Sequence, residues 1–157
     1  MTGTALALAM CAIAASAAVV HADPAAPVAI SSRFGGVVDV VSDVELRGAA
    51  VMVGGAVDVT DDVEAQVGAM LGPTFGGYLG GQYYVTRGSL RPLFAAGAPI
   101  FFLSGPRVGL RGAVGIEWRA TPHLAVTAQL GLEHYFNANG DIADTTLTPI
   151  VGVTGRL

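Results

Sequence analysis

His123 and His134 are the side chains in this chain best suited to acid–base or metal chemistry. A metal site needs several such donors, and no second His or Cys stands at ligand spacing from either one. Glu133 and His134 are adjacent, so in extended backbone they point to opposite faces and do not act together. Ser104 and His134 offer a nucleophile and a base, but no His-x-Ser motif joins them. Gly76-Gly77 and Gly80-Gly81 have the look of a phosphate loop. No Gly-Lys-Ser/Thr follows, nor a helix whose N-terminus would meet a phosphate. Glycine here suits close packing and strand curvature instead. Asn139-Gly140-Asp141 and Asp144 supply oxygens for a cation, yet the calcium-loop pattern is missing, so they read as a solvated loop. No residue is assigned to catalysis, a cofactor or a metal, and the chain is read as non-enzymatic.

Composition narrows the class further. The chain has 157 residues, 12 of them acidic and 8 basic, for a formal charge of −4. Every basic residue is arginine. Charged residues make up 13% of the chain and apolar ones 52%, the reverse of a disordered chain. Without a basic face, nucleic acid is excluded as a partner. A single Cys rules out an internal disulfide framework. Glycine is abundant, 22 of 157 residues, against the roughly 7% usual in proteins.

The elements that position these residues begin after an apolar leader. Residues 1–22 are small and apolar, with Val20 and Ala22 placed for a signal-peptidase cut after Ala22. Residues 23–28 form a short linker. From 29 onward the hydrophobic period is two, not that of a helix. In Arg107 to Arg119, Val108, Leu110, Val114, Ile116 and Trp118 share one face, and Arg107, Arg111, Glu117 and Arg119 share the other. Leu124 to Phe136 repeats the pattern, with Thr127, Gln129, Glu133 and Tyr135 on the polar side. The spacing predicts eight strands, at 29–40, 45–58, 62–72, 75–86, 90–103, 107–119, 123–136 and 146–157. In the second strand, Glu45 and Arg47 imply an inward parity that Val51, Val53 and Val57 share, so a bulge at Gly54-Gly55 is expected to reset the register. Tight turns at Thr60-Asp61, Arg87-Gly88-Ser89 and Thr121-Pro122 fall at one end, and the long 137–145 loop at the other.

Strands of this length match the roughly 9–11 residues a tilted strand needs to cross a bilayer. In lipid, only helices and closed barrels pair every backbone group. The reading is therefore an all-β, antiparallel up-and-down transmembrane β-barrel occupying residues 29–157. Its expected inward polar network is Arg33, Asp39, Glu64, Arg107, Arg111, Glu117, Arg119, Gln129 and Glu133, joined by Gln66 and Gln82. An eight-stranded barrel is just wide enough for such side chains to fill it. Phe75, Phe101, Phe102, Tyr135 and Phe136 near the outer ends, and Tyr83, Tyr84 and Trp118 near the inner ends, are expected to form interfacial girdles.

The stretch RVGLRGAVGIEWRATPHLAVTAQLGLEHYF, residues 107–136, and the final strand with Val151, Val153 and Leu157 resemble small outer-membrane β-barrels of the OmpA/OmpX type. The resemblance implies a Gram-negative outer-membrane location, lipid as the surrounding partner, and recognition of the last strand by the barrel-assembly machinery. It also implies a monomer with a structural or surface-interaction role. A soluble periplasmic barrel binding an apolar ligand, like the lipocalins, shows the same alternation with its faces inverted. Composition opposes it, because a soluble exterior needs more charge than mean hydropathy +0.59 leaves available. A lipid-modifying barrel enzyme is the third reading.

Overall fold

The computed structural model of the chain describes residues 34–42, 49–72, 75–102, 107–136 and 145–157. The proposed signal segment, the linker, Arg33, Glu45, Arg47, Ser104 and the Asn139–Asp144 group lie outside the described residues. Eight strands follow one another: β1 (Phe34–Ser42), β2 (Ala49–Thr60), β3 (Val63–Leu71), β4 (Gly76–Tyr84), β5 (Leu90–Phe101), β6 (Arg107–Thr121), β7 (Leu124–Tyr135) and β8 (Thr145–Arg156). Each is antiparallel to its chain neighbour, and β1 pairs with β8 to close the barrel. The closing seam runs from Gly35 opposite Arg156 to Val41 opposite Ile150. No helix among the described residues is long and apolar enough to cross a membrane, which says nothing about strands.

The up-and-down order sets two distinct ends. The start of β1, the end of β8 and the short β2–β3, β4–β5 and β6–β7 connections share the turn end. Asp61-Asp62 and Arg87 meet there, with Arg87 Nε 3.0 Å from Asp62 Oδ1. The β1–β2, β3–β4, β5–β6 and β7–β8 connections share the loop end.

Period-two alternation decides what faces where. Along β6 every second residue from Arg107 to Arg119 faces inward, and Val108, Leu110, Val114 and Ile116 face out. The same holds around the ring. Every Asp, Glu and Arg of the described strands carries the inward parity: Asp39, Asp58, Glu64, Arg91, Arg107, Arg111, Glu117, Arg119, Glu133 and Arg156. The outward positions are Val, Leu, Ile, Ala, Gly, Pro and aromatics. Polar groups appear there only toward strand ends, as at Tyr83, His134 and Thr145.

β2 departs from the parity its sequence suggests. Met52 and Ala56 face in, whereas Val51 and Val53 are exposed. The register runs unbroken through Gly54 opposite Gly68 and Gly55 opposite Val67, and shifts only between Asp58 and Thr60. The parity that carries Met52 also carries Asp58, so this arrangement turns the charge inward and gives the valines to the outer face.

Candidate functional site

The lumen gathers the polar chemistry. Toward the turn end, Glu117 is fully buried and acts as a hub. Arg91 donates to its Oε1 from Nε at 3.2 Å and from Nη2 at 2.5 Å. Arg119 Nε donates to the same oxygen at 3.1 Å. Tyr84 Oη donates to Oε2 at 2.9 Å, and Arg156 Nη2 lies 3.4 Å from it. Arg156 bridges onward to Glu64 Oε2 at 2.7 Å, whose other oxygen accepts from Gln66 Nε2 at 2.9 Å. The Arg91 guanidinium also stacks 3.5 Å over the Tyr84 ring, so burial adds a cation–π contact to the ion pair.

Nearer the loop end, Arg111 Nε donates to Glu133 Oε1 at 2.6 Å, and Tyr135 Oη donates to Glu133 Oε2. Arg111 lies 4.8 Å from the Tyr78 ring centre. The hydroxyl end of Tyr78 lies against Gly80 and Gly97, where any Cβ would collide with it. Both glycines are inward-facing, so their missing side chains are the space that Tyr78 fills. Val37, Val41, Met52, Met70 and Ile150 pack with Tyr78 into an apolar layer, with Ala50 and Phe101 against it. The interior is thus filled by two charged clusters and apolar packing. A few buried polar atoms stay unpartnered, among them Asp39 Oδ1, Asp58 Oδ2 and Thr148 Oγ1.

The structure places Asp39, Glu64, Arg107, Arg111, Glu117, Arg119, Gln129 and Glu133 inside, all buried. It brings Glu117, Arg119 and Glu64 together through Arg91 and Arg156, and Arg111 to Glu133. Gln129 is buried and faces inward beside them. Arg91 and Arg156 are hub members that the sequence reading leaves out. Their signal was parity: Arg91 alternates with Leu93 and Ala95, and Arg156 with Thr154.

Three aromatic assignments are corrected. Tyr84, Phe101 and Tyr135 point into the lumen, not to the interfaces: Tyr84 and Tyr135 are buried, and Phe101 packs on the inner apolar layer. Each has an aromatic neighbour in the chain, and adjacent strand residues face opposite ways. Tyr83, Phe102 and Phe136 therefore take the outer face, with Phe75 beside Phe102 at 6.0 Å between ring centroids. Trp118 is outward and partly covered. Phe34 and Phe94 are also exposed outside.

The histidines stay apart. His123 Nδ1 lies 3.1 Å from the Arg156 carbonyl oxygen at the turn end. His134 is exposed at the loop end, 2.9 Å from Thr145 Oγ1 and edge-on to Phe136. Among the described residues, no three His, Cys, Asp or Glu side chains group to hold a metal ion.

No family model matches the chain, and no curated protein matches it in sequence. Four solved chains share its fold. One, described as "De novo design of transmembrane beta-barrels", aligns with a TM-score of 0.62 and 17% identity, covering 80% of this chain and 96% of that one. The fold is shared with transmembrane β-barrels. De novo designed TMB2.3, known from solution NMR, aligns with a TM-score of 0.59 and 13% identity over 80% and 94% of the two chains. Neisserial surface protein A aligns with a TM-score of 0.50 and 11% identity over 80% and 95%. At these identities the likeness is one of fold. This chain is an eight-stranded, up-and-down closed barrel of the kind those proteins form.

Proposed function

We propose that this chain is a small outer-membrane β-barrel of a Gram-negative bacterium, with a filled lumen and a structural or surface-interaction role in the envelope. The observation that carries the reading is the segregation of charge. Every charged side chain of the described strands faces in, and the outer surface they leave is apolar. A lipid-facing Arg or Lys at the bilayer midplane costs about 2–4 kcal/mol, so this is the arrangement a bilayer favours. A soluble barrel around an apolar ligand needs the opposite one. The apolar stretch at 1–22 supports export, and recognition of β8 by barrel-assembly machinery belongs to the same reading. A non-enzymatic monomer is part of the same reading.

The test is expression of the full chain in a Gram-negative host, followed by outer-membrane isolation and gel electrophoresis with and without boiling. Recovery in that membrane with heat-dependent mobility supports the reading. A soluble periplasmic protein without a heat-dependent shift overturns it.

A further inference from the structure

Four carboxylates are buried among the described residues, and three of them hold an arginine. Glu117 takes Arg91, Glu64 takes Arg156, and Glu133 takes Arg111. Asp39 is the exception. Its relative exposure is 3%, and its Oδ1 has no hydrogen-bond partner. It stands on β1 directly opposite Gly152 of β8, in the pairing that closes the ring. The missing side chain of Gly152 is the space its carboxylate occupies, since a Cβ there would fall on Oδ1. Asp39 thus lies across the closing seam.

Its charged neighbours act without bonding to it. Arg111 of β6 attracts it and Glu64 of β3 repels it, while Tyr78 of β4 stands within its field. Arg111 is bonded to Glu133 and Glu64 to Arg156. The remaining flanks are uncharged. On β2 the strand partner is Met52, and Thr127 Oγ1 of β7 lies 2.8 Å from the position a Cβ on Gly152 would take. An ionised carboxylate taken out of water without a paired cation is costly, and such a group holds a proton instead. In the open chain the same carboxyl meets water and is ionised above about pH 4. We propose that Asp39 is a proton latch on the β1–β8 seam, neutral in the closed ring and ionised when the ring opens. Ring closure then takes up one proton from solvent. The closed state binds more protons than the open one, so its stability falls as pH rises. The contribution is complete below the carboxylate pKa of the open chain, and it is gone once the closed form has itself released the proton. The proposal goes beyond the envelope role above and stands on the lumen alone.

The experiment uses the full chain folded in phosphatidylcholine vesicles. Heat-dependent gel mobility first establishes that the barrel has inserted; failure there counts against the membrane reading alone, and the titration then proceeds in detergent micelles. Urea unfolding of wild type and Asp39→Asn is followed by Trp118 fluorescence between about pH 5 and about pH 9. The wild-type folding equilibrium is expected to carry a component that falls with rising pH by up to about tenfold per pH unit. Asp39→Asn, which cannot ionise, lacks that component. The histidines are common to both proteins, so only the difference between the two profiles counts. Infrared difference spectra of the folded barrel give a second readout, the carbonyl stretch of a protonated carboxyl group, present in wild type and lost in Asp39→Asn. If Asp39→Asn fails to fold, Asp39→Ser replaces it. Parallel pH profiles in wild type and the folded variant overturn the proposal even where the variant is less stable throughout, because Asp39 then acts by packing alone. A carboxyl band that the substitution leaves unchanged overturns it as well.

Discussion

Replacing Glu117 by Gln keeps the shape of the hub and removes its charge. Arg91, Arg119 and Arg156 all lie within 3.4 Å of the Glu117 carboxylate, and its side chain is 0% exposed. At an effective dielectric constant of about 20, one such pair at 4 Å is worth about 4 kcal/mol gross. Desolvation of both partners offsets much of that, and breaking a buried pair from one side costs about 3–5 kcal/mol net. Gln still accepts a hydrogen bond from Arg91 and lies in reach of Tyr84, which places Glu117→Gln at the low end, about 3 kcal/mol. That corresponds to about a 150-fold shift in the folding equilibrium. The assay is equilibrium urea unfolding in vesicles, followed by the fluorescence of Trp118, the only tryptophan. With a slope near 2 kcal/mol/M, the midpoint falls by about 1.5 M. Adding Arg91→Gln removes one of the stranded cations, so the double variant loses less than the sum of the two single ones. A midpoint within a few tenths of a molar of wild type refutes the hub as a source of stability. Strict additivity refutes the pairing of Glu117 with Arg91.

Three further outcomes follow from the same geometry. Val114 is 53% exposed on the outer face between Phe94 and Leu130; Val114→Arg lowers stability in vesicles by about 2–4 kcal/mol, and unchanged unfolding there contradicts contact with lipid. Gly152→Ala places a Cβ on the Asp39 carboxylate and 2.8 Å from Thr127 Oγ1; an overpacking loss of about 1–3 kcal/mol is expected in the same unfolding assay. At the turn end, the hydrogen bond from Arg87 holds the Asp62 carboxyl below its ordinary range. Because the folded value is the lower one, this pair's contribution is complete above the ordinary carboxylate pKa and disappears as pH falls through the folded value. An NMR titration of Asp62 reads this, and Arg87→Met returns the carboxyl toward its ordinary midpoint.

Strand number, order and most boundaries were legible because the charges of β6 and β7 share one parity. Arg107, Arg111, Glu117 and Arg119 define an inward side without knowledge of any partner. β2 was harder. Its apolar residues occupy both parities, so Met52 and Val53 are equally credible as inward, and the charges disagree: Glu45 and Arg47 carry one parity and Asp58 the other. The aromatic pairs Tyr83-Tyr84, Phe101-Phe102 and Tyr135-Phe136 carried their own answer, since alternation allows one of each pair outside. The hub was partly hidden for a different reason. Which arginine meets which carboxylate depends on the stagger between strands, and Arg91 reaches Glu117 across 26 residues while Arg156 reaches Glu64 across 92. Period alone carries no information about such distances.

The topology has a kinetic consequence. Seven of the eight pairings join neighbours in the chain and can form as hairpins; the β1–β8 seam alone joins the two ends of the barrel domain. Its loop-closure entropy is the largest in the fold, so its formation is the late, slow step. Arg156 arrives with that seam and is the residue that links Glu64 to Glu117. Until β8 zips onto β1, Arg91 and Arg119 share Glu117 in an open, wet sheet, and Glu64 has no cation. Ring closure and the pairing of Glu64 are therefore a single event. An almost-closed barrel gains little, and refolding passes from open sheet to finished ring with no stable halfway state.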